Sequence, residues 1–192
     1  CKETARINAS NPCSEYMFLD NSACNLASLN LMKFRDDEGF FDVEAFRAAV
    51  SLLILAMEII VDFADYPTER IQQNSRRLRP LGLGYANLGA LLMQNGFAYD
   101  SDEGRNLAAA ITSLMCGQAY LRSAEIAQRV GSFEDYPKNQ TSFLEVIGLH
   151  RDYADQVPTV GVPAGLHAAA RLSWIGALEL GRRTGFRNAQ VT

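Results

Sequence analysis

From position 42 onward the apolar residues fall at helical spacing. Val43, Phe46, Val50, Leu53, Ile54, Met57, Ile60 and Val61 recur three and four residues apart, which predicts an amphipathic helix. Asp42 suits its N-cap and Glu44 its first turn, and Pro67 ends it at or before Tyr66. Leu78 to Tyr85 is short, apolar and glycine-bearing, and predicts a buried strand. A helix follows from about Ala86 and stops at Asn95-Gly96. Ser101 and Asp102 open a long helix that closes before Gly131. Ser142 with Glu145 three residues on predicts a capping box for a shorter helix. Pro163 starts a last helix, which runs to about Thr184 and ends at Gly185. Phe186 to Thr192 then reads as the beginning of a strand whose partner must come from elsewhere.

Residues 1–35 lack this period. They are rich in Asn, Ser and Cys, contain Pro12, and read as extended or looped, with a turn at Asp36, Asp37 and Gly39. The expectation is four or five helices with two or three short strands.

Composition narrows the function classes. With 192 residues, 48% hydrophobic and 21% charged, the chain can bury one substantial core. A net charge of −4 argues against a broad basic face for nucleic acid, while leaving room for a local cluster such as Arg76, Arg77 and Arg79. The most apolar run, Val50 to Val61, is too short to span a bilayer and is broken by Ser51 and Glu58. The first residues show no signal-peptide pattern and no initiator Met, so a piece of a longer, cytoplasmic polypeptide is expected. Cys1, Cys13, Cys24 and Cys116 then read as reduced thiols rather than a disulfide framework.

The chemistry concentrates in Asn11-Pro12-Cys13-Ser14-Glu15. Pro12 disfavours helix at Asn11, and in an extended chain Asn11, Cys13 and Glu15 share one side. An amide, a thiol and a carboxylate would then face a ligand together. Cys24 follows eleven residues after Cys13, within reach of a loop. Blander readings compete: a cysteine is usually a small buried hydrophobe, Asn-Pro is a common turn, and a glutamate is usually solvated. A zinc half-site fits poorly without clustered histidines. Gly82, Gly84 and Gly89 do not make a dinucleotide fingerprint, because position 87 is Asn, and they read as close strand-to-helix packing. Cys116, His150, His167, Tyr85, Tyr120 and Trp174 read as structural.

Asn-Pro-Cys-Ser-Glu, followed by Ser22-Ala23-Cys24-Asn25-Leu26-Ala27-Ser28-Leu29-Asn30-Leu31, resembles the active-site finger loop of ribonucleotide reductases. Its wording is most similar to the adenosylcobalamin-dependent class. Arg76 to Gly84 resembles the strand entering that family's next barrel unit, and Thr184 to Ala189 the strand leading to its phosphate-binding loop. The resemblance implies an α/β fold, part of a ten-stranded barrel around a central finger loop. Residues 1–35 would be the finger loop with its adjoining extended segment, and residues 36–192 a predominantly helical part of the barrel.

The same resemblance implies roles. Cys13 would be the thiyl radical that takes the ribose 3′-hydrogen, and Glu15 the general base at the 3′-hydroxyl. Asn11, with Ser10 beside it, would hold the ribose hydroxyls. Cys24 would be one of two redox thiols, its partner lying upstream of this segment. No protein metal ligands are implied. Adenosylcobalamin would serve the full-length enzyme, with none bound to this segment alone, and a thioredoxin- or glutaredoxin-type protein would supply electrons. The partners expected are a ribonucleotide, the rest of the reductase chain and the reductant, without nucleic acid or membrane; a homo-oligomer is compatible. The isolated segment is expected to be inactive. Two other functions stay open: a stand-alone helical binding or regulatory module, and a thiol-disulfide protein using Cys13 and Cys24.

Overall fold

Two parallel strands organise the N-terminal half, β1 (Asn25–Asn30) and β2 (Leu81–Ala86), with Asn25 opposite Leu81 and Asn30 opposite Ala86. The computed structural model describes residues 2–11, 16–36 and 38–191. Parallel strands need a crossover, and two helices supply it. The first, α1 (Val43–Phe63), is capped by Asp42, whose carboxylate accepts the Ala45 N–H. The second, α2 (Glu69–Leu78), is capped by Thr68, whose hydroxyl accepts the Ile71 N–H. Phe46, Val50, Ile54, Met57 and Val61 of α1 are buried with Leu29, Leu81 and Leu83 of the strands.

After β2 come α3 (Leu88–Gln94), α4 (Asp102–Val130), α5 (Tyr136–Ala154) and α6 (Ala164–Thr184). Gly117 of α4 lets Trp174 of α6 pack closely, since a Cβ there would stand 3.0 Å from the indole. A second, aromatic core gathers Phe133, Tyr136, Trp174 and Phe186. Phe18 and Leu19 belong to it, so the segment before β1 is anchored on the helical half.

The helices at 43, 88, 102 and 164 match expectation, and the extended N-terminal region contains one strand. Four expectations need correction. The strand of 78–85 begins at Leu81, because Leu78 closes α2 and Arg79 leaves it in left-handed geometry at φ 52°. Periodicity passes over α2 because most of Glu-Arg-Ile-Gln-Gln-Asn-Ser-Arg-Arg-Leu is polar; the Thr68 cap is its sequence signal. The helix expected from Ser142 starts six residues earlier at Tyr136, with Pro137 in its first turn, and the Ser142 hydroxyl donates to the Asn139 carbonyl inside the helix. Phe186 to Val191 forms no regular strand, but it flanks β2: Leu81 N–H donates to Gln190 (2.8 Å) and Leu83 N–H to Val191 (3.2 Å).

Candidate functional site

On the sheet face away from α1, side chains are few. Leu26 and Ser28 of β1 are exposed there, beside Gly82 and Gly84 of β2. A Cβ on Gly82 would collide with the Leu26 side chain and stand 3.8 Å from Cys24 Sγ; one on Gly84 would stand 3.7 Å from Ser28 Oγ. These two glycines therefore face β1 side chains, which corrects their reading as strand-to-helix packing. Their lack of side chains leaves room for the Leu26 side chain to lie across Gly82, with the Cys24 thiol at the edge of this partly exposed strip. Cys24 is half-buried. The Ala23 N–H donates to buried Ser75 Oγ (2.9 Å), and Asn25 Nδ2 donates to the Met57 carbonyl (2.9 Å), which pins the backbone on both sides of the thiol.

Asn11 and Tyr16 are bonded to each other. Tyr16 N–H donates to Asn11 Oδ1 (3.0 Å), and Asn11 N–H reaches the Tyr16 carbonyl at 3.4 Å. Asn11 and Tyr16 are thus held together. The expected alignment of Asn11 with Cys13 and Glu15 on one side falls on positions 13 and 15, outside the described residues, as does Cys1. Ser10 is exposed, its hydroxyl donating to the Asn11 carbonyl (3.0 Å). The Tyr16 hydroxyl donates to Ser22 Oγ (2.9 Å), and Ser22 in turn donates to the Leu19 carbonyl. Burial pushes the Tyr16 phenol up, the Ser22 hydrogen bond works against that, and nearby Cys24 adds to the rise.

A buried ionic network behind β2 escapes the sequence reading. Arg79, the last residue of the expected basic cluster, is 4% exposed. Its Nε donates to Glu58 Oε1 (2.5 Å), and Nη1 and Nη2 each reach an Asp62 carboxylate oxygen at 2.8 Å. Glu58 also accepts from Arg187 Nε and Asn188 Nδ2, both at 2.6 Å. Asn188 Nδ2 donates to the Arg79 carbonyl (2.9 Å), and its N–H donates to Ser123 Oγ (3.0 Å). The hydrogen bonds from Arg79 hold the Asp62 carboxyl below its ordinary range. One acid on α1 thereby fixes both the start of β2 and the segment flanking it. With Arg79 spent on Glu58 and Asp62, no exposed basic triplet remains.

Other titratable residues serve packing. His150 stacks on Trp174 at 4.9 Å, and Tyr120 lies within the aromatic core. Among the described residues no group of three or more His, Cys, Asp or Glu side chains is placed to hold a metal ion. Nor, among them, is any helix long and apolar enough to cross a membrane.

Comparison with known proteins covers the whole chain. A family model described as ribonucleotide reductase, barrel domain, matches residues 1–192. A vitamin B12-dependent ribonucleotide reductase of Rhodopirellula baltica is 54% identical over all of this chain and 18% of its own length. The protein of that name from Streptomyces coelicolor is 53% identical over all of this chain and 20% of its own. A ribonucleoside-diphosphate reductase large chain from Encephalitozoon cuniculi is 34% identical over 95% of this chain and 22% of its own. The chain spans about a fifth of the length of these relatives.

Proposed function

Since this chain belongs to the ribonucleotide reductase barrel-domain family, we propose that it is the finger-loop portion of a reductase converting ribonucleotides to 2′-deoxyribonucleotides. Residues 1–35 supply the loop and residues 36–192 the support on which it rests. The carrying observation is the half-buried thiol of Cys24 beside Gly82, eight residues beyond Tyr16, whose backbone is bonded to Asn11.

In this reading a Cys13 sulfur radical takes the ribose 3′-hydrogen and Glu15 accepts the proton of the 3′-hydroxyl, which promotes loss of the 2′-hydroxyl as water. Asn11, flanked by Ser10, orients the ribose hydroxyls. Cys24 and a second thiol provide two electrons and two protons. The balanced outcome is ribonucleotide plus dithiol giving deoxyribonucleotide, water and a disulfide. A thioredoxin- or glutaredoxin-type dithiol then restores Cys24 by exchange.

The names of the bacterial relatives support adenosylcobalamin as the coenzyme, which when bound would generate the radical on Cys13. Of the clefts characterised, the broadest, about 750 Å³ along α5, is an open groove too small to enclose a corrin with its adenosyl group. The coenzyme site is therefore sought outside the described residues, and the 192-residue segment alone should be inactive.

The test is product formation by a reductase polypeptide containing this segment, supplied with a ribonucleotide, a dithiol and adenosylcobalamin. Coenzyme-dependent deoxyribonucleotide is expected. Absence of product, together with catalysis of protein disulfide exchange, would overturn the reading in favour of a thiol-disulfide protein.

A further inference from the structure

The two bonds that hold the backbone beside Cys24 come one from each helix of the crossover. Ser75 of α2 is 1% exposed, and its hydroxyl accepts the Ala23 N–H at 2.9 Å. Met57 of α1 is buried, and its carbonyl accepts from Asn25 Nδ2 at 2.9 Å. These two anchors are themselves fixed against each other. The Arg79 N–H donates to the Ser75 carbonyl at 2.8 Å. Its guanidinium reaches Glu58, the neighbour of Met57, at both the carboxylate (2.5 Å) and the main-chain carbonyl (3.1 Å). From Arg79 the chain runs on through Pro80 into β2 and brings Gly82 beside the thiol, where a Cβ would stand 3.8 Å from Sγ.

Building on the proposed function, we infer that Ser75 and Asn25 are positioning residues for the redox thiol: the Ser75–Ala23 and Asn25–Met57 bonds set where Cys24 stands at the entry to β1. Either bond alone leaves the chain free to turn about it; together they bracket residue 24 from the positions immediately before and after it. Reduction of a sugar radical requires the sulfur to approach along a short, directed path, and a small error in such an approach is costly in rate. Ser75 is buried in α2 and the Asn25 amide is turned toward α1, so both act on the thiol and neither on the affinity for nucleotide. The Arg79–Glu58 pair gains a role in the same arrangement, since it keeps the two anchors at a constant spacing.

The test uses the complete reductase. Ser75→Ala removes the acceptor for Ala23, and Asn25→Leu keeps the bulk of the side chain while removing the donor to Met57. Each should lower kcat about tenfold, a fraction of the cost of misplacing reacting groups, with KM for the nucleotide unchanged. The alkylation rate of Cys24 in the nucleotide-free protein, read by peptide mass, should rise severalfold because the thiol is less firmly held. Ser101→Ala serves as the control for lost stability: it removes the α4 cap, a bond to the Gly104 N–H, and should lower the melting temperature while leaving kcat and the alkylation rate unchanged. Should Ser75→Ala not fold, Asn25→Leu carries the same comparison, since Asn25 is only half-buried. An unchanged kcat in either folded variant, a raised KM, an unchanged Cys24 alkylation rate, or an equal kcat loss in Ser101→Ala would each overturn the inference. Failure here leaves the proposed function intact if the unaltered enzyme makes deoxyribonucleotide; failure of the function itself would appear as no product from any form.

Discussion

Arg79 and Glu58 form an ion pair at 2.5 Å with their side chains only 5% and 6% exposed, which ties the residue before Pro80 and β2 to the middle of α1. Arg79 holds left-handed backbone geometry to do so, a conformation that costs a non-glycine residue about 1–2 kcal/mol. The remaining Glu58 valences are filled by Arg187 and Asn188, so the pair is fully hydrogen-bonded. Glu58→Ala should take the shared carboxylate from Arg79, Arg187 and Asn188, leave Arg79 paired with Asp62 alone, and destabilise the fold by up to about 3–5 kcal/mol, the range for removing one member of a buried pair. Urea unfolding measures this; a loss below about 0.5 kcal/mol would mean the network carries no net stability.

Gly181 of α6 lies directly against the Phe186 ring, and a methyl group there would stand well inside contact distance. Phe186 has no exposed surface and is held by Tyr120, Phe143 and Tyr136, with ring centroids 5.8, 5.1 and 6.1 Å away. Gly181→Ala should therefore destabilise by about 1–3 kcal/mol through overpacking, despite the helix preference for alanine. Thermal melting of this variant beside Gly176→Ala checks the argument, because a Cβ on Gly176 meets only ordinary contact with Leu121 at 3.4 Å.

His150 titrates with a consequence for stability. Burial against Trp174 lowers its pKa below the ordinary 6.5. In the window between that unfolded value and the lower folded one, the unfolded chain binds more protons, so stability rises with pH. The contribution is complete above about pH 6.5 and is lost as the pH falls through the window. His150→Phe keeps a ring on Trp174 and removes the proton site. Its melting temperature should vary less between pH 7.5 and pH 5 than that of the unaltered protein, in paired calorimetric scans at about those limits. Equal slopes would contradict the assignment.

Sequence reading succeeded where one face of an element is apolar and its ends carry caps. Asp42, Ser101 and Gly185 mark the ends of α1, α4 and α6 because capping is local and each residue type satisfies a backbone group directly. It missed α2, whose polar face outweighs Ile71 and Leu78, and misjudged α5, whose start depends on Pro137 rather than on the more conspicuous Ser142 and Glu145. The candidate site divides in the same way. Cys24 and Asn11 stand out because their residue types suit the chemistry. The Arg79–Glu58–Asn188 network and the Tyr16–Ser22 link do not, because each joins residues that no short-range pattern connects. Glu58 in particular looks like an interruption in an apolar helix face, and only its partners from 21 and 130 residues away explain it.

The account turns on whether the Cys13 sulfur starts the reaction. The decisive measurement is deoxyribonucleotide formed per molecule of fully reduced enzyme by Cys13→Ser, in the complete reductase and with its melting temperature matched to that of the unaltered enzyme. A serine hydroxyl fills nearly the same space but does not supply the sulfur radical. The prediction is no product above background, even in a first turnover. Product at the level of the unaltered enzyme would contradict it.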